Sequence, residues 1–438
     1  MTRIRVIGGG LAGSEAAYQL ARRGLPVTLL EARPEAQTPA HTTDKLAELV
    51  CSNSLGSGAV GTGKGLLAAE MEACDSLIIQ AAKAAAVPAG TALAVNRSRF
   101  SEQVERALSA LPDLIIERGV ATEVPDAPAI IATGPLTSDA LARELARFAG
   151  VDHLYFYDAT SPIVDGDSID RSIAFIADRR GKGDGDYFNC PLDQEEYERF
   201  YQALSEAALV TPHQFEDEKV FEGCMPIEQL ARRGKDTLRF GPMRPVGLID
   251  PRSGKRPYAV VQLRREDVAG EAWNLVGFQT RMQFGAQREV LRLIPGLQDA
   301  RIVRFGVIHR NTYVDGPRAL DGTLSLKSRS GVRLAGQLTG VEGYMESAAM
   351  GLLAALYTAA DHAGLTLPPP PSTTMLGALL AYVTGSEHQP IEPMNSNFGL
   401  LPPMGHIRNK VERKKQMHHR GIKDLGEWIN EFLRGLFF

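Results

Sequence analysis

The sequence predicts an α/β chain: a Rossmann-like, doubly wound dinucleotide-binding domain interrupted by an α+β insertion. Three observations carry that expectation. A short apolar strand, Arg3 to Ile7, runs straight into the glycine cluster Gly8-Gly9-Gly10. A helix and a second apolar strand follow at βαβ spacing, ending in Glu31. Two more apolar strands, at 129–132 and 332–335, lie far apart, and the texture of the chain changes between them.

The elements follow in order. Leu11, Ala17, Leu20 and Ala21 share one face of a helix over 11–23, with Gly24 as its C-cap. Val27 to Leu30 is the second strand. A helical stretch over 66–82 carries Cys74 as a core residue. The strand at 129–132 closes in Thr133-Gly134-Pro135, and the one at 332–335 in Gly336. An Ala- and Leu-rich helix follows at 346–360. Between them stand Tyr155, Phe156 and Tyr157, a loop with Gly181, Gly183 and Gly185, and a strand-like run at 258–263. At 438 residues the chain exceeds one simple core. The expected division is a discontinuous dinucleotide domain over 1–150 and 325–438, and an insertion over 151–324. Prolines 368–371 mark a break before the last segment.

Composition narrows the class. Lys and Arg total 48 against 52 Asp and Glu, a net charge of −4, which taken as a sum speaks against a nucleic-acid partner. The four cysteines, at 51, 74, 190 and 224, show no C-x-x-C pair, and the nine His do not complete a zinc-site spacing, so no metal is expected. So few cysteines suit a reducing cytoplasm. The start at MTRIRVIGGG leaves no room for a signal peptide, and no apolar run reaches the roughly 18 residues that span a bilayer.

Gly8-Gly9-Gly10-Leu11-Ala12-Gly13 fits G-x-G-x-x-G. Gly8 permits the tight turn, Gly10 lets a pyrophosphate approach the backbone, and Gly13 lets helix and strand pack closely. Glu31 is placed for ribose hydroxyls without a 2′-phosphate, which suits FAD and NAD alike. The late VRLAGQLTGVEGYMESAA run favours FAD, because a flavin far from its adenine needs a second contact. Gly336, Gln337 and Gly343 are its candidates. A ligand-less glycine turn is the plain alternative.

Gly58 to Gly65 nearly fits the P-loop, but Gly65 replaces the hydroxyl that would hold magnesium, and the stretch before it is polar. A loop near the first cofactor motif is the better reading. Cys51 and Cys224 sit among small and turn-forming residues, while Cys190 is placed in a loop.

The segments VIGGGLAGSEAAYQLA, ELVCSNSLGS, FEGCMPIEQLARRG, GFQTRMQFGAQ, the run Val307-Ile308-His309-Arg310-Asn311-Thr312-Tyr313, and GQLTGVEGYMESAAMGLLAA carry a resemblance over essentially the whole chain. It is similar to the folate- and FAD-dependent tRNA (uracil-5-)-methyltransferases of the TrmFO type. Those are related to the larger GidA flavoproteins, whose extra C-terminal part is absent here. The glycine-rich 58–65 stretch departs from what is expected after the Cys51 motif. The resemblance implies methylenetetrahydrofolate as carbon donor, reduced FAD as electron donor and NAD(P)H as the flavin's reductant. It implies 5-methyluridine at position 54 of the tRNA T-loop as product, and Cys51 and Cys224 as the working thiols.

Chemistry gives two thiols separate work. Uracil C5 is a poor nucleophile until a thiolate adds at C6, and a base must then take the C5 proton. Cys51 is assigned as nucleophile and Cys224 as acid/base, with the order open. The run from Arg408 to Arg420 holds six Lys or Arg against one Glu, namely Arg408, Lys410, Arg413, Lys414, Lys415 and Arg420. With His406, His418 and His419 beside them, they make a strip suited to phosphates. Leu425, Trp428, Ile429 and Phe432 repeat at helical spacing and should pack that helix on the body. Arg232, Arg233 and Lys235 add charge after the Cys224 motif. Tyr344 and Phe284 are candidates to stack on the target base or on the pterin. The competing reading is an NAD(P)H-linked FAD oxidoreductase acting on a small molecule or disulfide. A non-catalytic FAD-containing tRNA-binding factor is a third. The sequence leaves oligomeric state and the choice of NADH or NADPH open.

Overall fold

The computed structural model describes residues 2–38, 40–150, 154–179, 186–210, 225–267, 269–385, 391–405 and 407–436. Cys224, His406 and the glycines at 181, 183 and 185 lie outside the described residues.

The first sheet has six strands. Ile4–Ile7 is flanked in parallel by Val27–Glu31 on one side and Ala129–Ile131 on the other. Leu114–Arg118 extends it beyond Val27–Glu31, and Arg329–Leu334 pairs in parallel with Ala129–Ile131. Ser325–Leu326 closes the edge as an antiparallel hairpin strand. The three central strands are covered on both faces, while the edge strand Leu114–Arg118 is largely open. The Leu11–Ala21 helix packs on one side against the Tyr344–His362 helix, whose residues from Ala348 to Ala360 are all buried. Their approach needs small residues: a Cβ on Gly351 would stand 2.1 Å from the Ala12 carbonyl oxygen.

The second sheet is antiparallel throughout. Its order is Phe175–Ile176, Tyr187–Leu192, Ala259–Arg265, Ala272–Leu275, Ile163–Asp165 and Ile302–Arg304. It has its own core, built around Phe188, Tyr197, Phe200, Trp273 and Phe278. A two-stranded ribbon, Leu154–Ala159 with Ile308–Tyr313, stands at the passage between the two parts of the chain. A three-stranded sheet of Ser54–Ser57, Ala92–Val95 and Ala86–Val87 sits after the Cys51 turn.

Several expectations need correction. The stretch over 66–82 is two helices, Gly63–Ala73 and Leu77–Ala84, because Asp75 takes a positive φ of 56° between them. Ser76 and the buried Glu15 then cap the second helix. Cys190 lies in the strand Tyr187–Leu192, fully buried, rather than in a loop. The polar stretch before the P-loop-like run does form a strand, Ser54–Ser57, made by hydrogen bonding in the small antiparallel sheet rather than by burial. Cys74 is buried as expected, and Gly24 takes the left-handed φ of 80° just beyond its helix.

Candidate functional site

The turn after Ile4–Ile7 is dictated by its glycines. Gly8 holds φ at +99°, and a Cβ there would lie 2.5 Å from the Ala132 carbonyl oxygen. Gly13 faces the Gly8 carbonyl oxygen so closely that a Cβ would meet it at 1.8 Å. Gly10 differs: nothing lies within 4 Å of where its Cβ would stand. It is the N-cap of the Leu11–Ala21 helix, and no side chain caps that end. Bare N–H groups at a helix start, behind an open glycine, make a cradle for a diphosphate.

The cradle opens on a cavity of about 690 Å³. Gly8, Gly10, Leu11, Ala12, Glu31, Gly336 and Gln337 all line it. Gly9, Gly13 and Gly343, also singled out by sequence, are not among the residues that line it. Gly9 donates its N–H to Glu31 Oε2 at 2.7 Å. The cavity crosses the carboxyl ends of five neighbouring parallel strands, which at the usual strand spacing is roughly 19 Å. Only an extended ligand makes use of such a crevice, and this is where open α/β sheets bind dinucleotides.

Glu31, the expected ribose contact, is itself held by neighbours. Its Oε1 accepts from the Arg33 backbone N–H at 3.0 Å and from Arg33 Nε at 2.7 Å. Arg33 in turn reaches Glu48 at 3.1 Å. Burial pushes the Glu31 carboxyl up, but the hydrogen bonds and charge of Arg33 outweigh it, so it lies below the usual carboxylate range. His41, also on the cavity wall, is pushed down to about 4 by burial and by Arg33, so it is neutral at pH 7.

The Cys51 turn adjoins this cavity. Val50 and Tyr344 line the cavity. The Tyr344 phenol oxygen accepts from Cys51 N at 2.7 Å and Ser52 N at 3.1 Å. Tyr344 is therefore an anchor of the thiol-bearing turn. Phe284, the other aromatic candidate, is half exposed and stacks on Phe305 with ring centroids 4.6 Å apart.

The P-loop-like run is turned to other use. Thr62 Oγ1 caps the next helix at Gly65 N. Lys64 points its ammonium to Glu346, 3.7 Å away at the start of the Tyr344–His362 helix. The run thus meets the late glycine motif, not the Gly8 turn, and its lysine is paired with a carboxylate.

The basic run forms one helix with its packing face, Lys410–Trp428. Leu425 and Trp428 are buried, and Trp428 Nε1 donates to the Pro368 carbonyl at 3.1 Å. Arg408, Lys410, Arg413 and Lys415 are exposed. Lys414 lies over the Phe398 ring, and Lys414 and Lys415 both approach Gly61. Arg420 is half-buried and donates to the Pro402 carbonyl at 2.7 Å, and His418 is buried. Arg232, which follows the Cys224 motif, closes the short helix Ile227–Arg232, and Lys235 pairs with Glu198 at 2.6 Å. Among the described residues no group of His, Cys, Asp and Glu could hold a metal ion, and no helix is long and apolar enough to cross a membrane.

Sequence reasoning missed Arg33, His41, Glu48 and the groups that hold the Cys51 turn: Arg97, Arg264, Glu266 and Arg304. Arg33 had a local signal, two positions after Glu31. The others come from distant segments, and no spacing marks them.

Fold and cavity together define a dinucleotide-binding flavoprotein type, with an antiparallel second sheet and a cysteine turn fastened to a residue of the cavity wall. The family model described as "Glucose inhibited division protein A" matches residues 3–365. The Moorella thermoacetica protein named Methylenetetrahydrofolate--tRNA-(uracil-5-)-methyltransferase TrmFO is 55% identical over 423 residues, covering 96% of this chain and 97% of its own length. Proteins of the same name from Shouchella clausii and Bacillus subtilis are each 51% identical, over 98% and 96% of this chain and 98% and 97% of their own. Two crystal forms of Aquifex aeolicus GidA align with TM-scores of 0.68 and 0.69 at 18% identity, covering 99% of this chain and 76% and 78% of theirs, a likeness of fold. The chain belongs to the TrmFO family, the methylenetetrahydrofolate–tRNA-(uracil-5-)-methyltransferases related to GidA.

Proposed function

We propose that this chain methylates uridine at C5 in tRNA, taking the carbon from methylenetetrahydrofolate, with FAD as bound cofactor and NAD(P)H as the source of its electrons. The proposed target is position 54 of the T-loop. One observation supports this reading above the rest: the turn that carries Cys51 is fastened to Tyr344, whose side chain lines the dinucleotide cavity.

The residues divide the work as follows. Gly10 and the start of the Leu11–Ala21 helix hold the diphosphate. Glu31, set by Arg33, faces the adenosine ribose. Gly336 and Gln337 meet the flavin end. Reduced FAD, when bound, supplies the electrons that turn a methylene into a methyl group. The Cys51 thiolate adds to uracil C6, forming the S–C6 bond and pushing electron density to C5 and O4. C5 then attacks the methylene carbon of the folate's iminium form, and loss of the C5 proton with cleavage of the carbon–nitrogen bond expels tetrahydrofolate and leaves an exocyclic methylene on the ring. Cys224 is the proposed base for the C5 proton. After a hydride reaches the methylene carbon, the S–C6 bond breaks and the thiolate returns.

The exposed lysines and arginines of the Lys410–Trp428 helix are the proposed phosphate contacts, and the base leaves its stack to reach Cys51. Residues 151–324 are proposed as the insertion in a discontinuous FAD-binding domain. The test is methylation of T-loop RNA with labelled methylenetetrahydrofolate, S-adenosylmethionine being the control donor. Label should enter RNA only from the folate, and Cys51→Ala should abolish it with tRNA binding kept. Label from S-adenosylmethionine alone would overturn the reading.

A further inference from the structure

The turn from Leu49 to Asn53 carries Cys51 with little regular structure of its own. Side chains from elsewhere take up its polar groups. Arg97, the first residue of the Arg97–Ser109 helix, donates to the Leu49 carbonyl and, at 3.1 Å, to the Cys51 carbonyl. Arg304 donates to the Val50 carbonyl at 2.8 Å. Arg264 reaches Ser52 Oγ at 2.8 Å and Asn53 Oδ1 at 3.0 Å. Tyr344 takes the N–H groups of Cys51 and Ser52.

The charge around the turn does not balance. Three guanidinium groups face it, and among the described residues one carboxylate, Glu266, pairs with Arg97, at 2.7 Å. Glu48, just before the turn, also acts on Arg304. Burial holds Arg264 and Arg304 below the ordinary arginine value, and the positive charge of Arg97 adds to it in both, although at Arg264 the Glu266 carboxylate works more strongly the other way. A negative charge on Cys51 favours the charged form of all three. The coupling is reciprocal, since an interaction energy belongs to both partners.

We propose that Arg97, Arg264 and Arg304 are positioning residues for Cys51: they fix the turn through its carbonyls and hydroxyl, and their shared excess of positive charge stabilises the thiolate. The proposal rests on Cys51 being the reactive thiol of the function above. A cationic surrounding is the ordinary means by which proteins keep a cysteine ionised near neutrality. Arginine suits the task because its planar fork bonds a carbonyl and keeps its charge.

The experiment is alkylation of the flavin-loaded full chain by iodoacetamide across pH, in a Cys224→Ser background, with the site of labelling read by mass spectrometry. Cys74 and Cys190 are buried and serve as internal silent thiols. It needs neither tRNA nor folate, so its failure is separable from a failure of the methyltransferase reading. In Arg97→Met the ionisation constant of Cys51 should fall about tenfold, moving the midpoint of the profile to higher pH. Arg264→Met should move it the same way. Glu266→Gln, which removes the opposing carboxylate, should move it to lower pH. A packing role alone would change the plateau rate and leave the midpoint in place. Midpoints unmoved in folded, flavin-containing variants, or Arg97→Met and Glu266→Gln shifting in the same direction, would overturn the proposal. Should Arg97→Met not fold, Arg264→Met and Glu266→Gln decide it by the same opposition of sign.

Discussion

The phenol oxygen of Tyr344 accepts the main-chain N–H of Cys51 at 2.7 Å, joining residues 293 positions apart. One contact thereby couples the late glycine motif to the thiol-bearing turn. In Tyr344→Phe the N–H groups of Cys51 and Ser52 lose their acceptor. An unmade buried hydrogen bond costs about 1–3 kcal/mol. Methylation kcat should drop about tenfold or more while tRNA affinity stays level. Steady-state kinetics on T-loop RNA checks this, and an unchanged kcat would refute it.

Glu31 makes a second prediction, with a definite sign in pH. Its carboxyl lies below the usual range in the fold, so its contribution to stability is complete above the ordinary carboxylate value of 4.5. It is lost as pH falls from there through the folded value. Glu31→Gln should therefore cost about 3 kcal/mol at pH 7, by leaving part of the Arg33 charge uncompensated. The gap between variant and parent should narrow in acid. Urea unfolding at pH 7 and near pH 3.5 measures both, and a gap that widens in acid would count against the Arg33 pairing.

The buried Glu70 has the opposite sign. Its two oxygens accept from Met375 N and Leu376 N at 2.8 Å each, capping the Met375–Gly385 helix from another segment. Burial pushes the carboxyl up to about 8, against the pull of those two N–H groups. A raised acid binds a proton in the fold that it has released when unfolded. Stability should thus decline as pH rises from about 4.5 to 8, and Glu70→Gln should flatten that slope. Thermal unfolding over this range decides it, and an identical slope in the variant would show that Glu70 stays ionised.

Charge reversal at Lys414 and Lys415 tests the RNA surface. Flavin content should not change, since neither residue lines the cavity. Affinity for tRNA should fall, and the dependence of binding on salt should become shallower by about one counterion per lost phosphate contact. Binding that is unaltered over a salt titration would remove this helix from the interface.

Local pattern carried the cofactor half of the site. Gly8 and Gly13 stand where the tight turn and close packing leave no room for a side chain, and Gly10 lines the cavity, because a βαβ turn is a short-range object whose sterics are written in consecutive residues. The packing of Leu425 and Trp428 was equally legible from helical period. The Cys51 motif could be found but its surroundings could not. Arg97, Arg264, Arg304 and Tyr344 reach it from segments whose own neighbours give no hint, since long-range side-chain contacts leave no periodicity. Cys190 misled for a related reason: its strand is made by pairing with Ala259–Arg265, more than sixty residues on. The net charge of −4 misled because a sum hides the cationic face of one helix.

The clamp on Leu49–Asn53 also sets an order of events in making the molecule. The turn is synthesised early, but its guanidinium partners at 264 and 304 and its phenol at 344 emerge more than two hundred residues later. Contacts so distant in sequence close late, after the intervening chain has found its own sheet. A nascent or half-folded chain therefore holds the cysteine without the geometry or the charge proposed to make it reactive. On that proposal, formation of the second sheet, which brings in Arg264 and Arg304, is the step that arms the thiol.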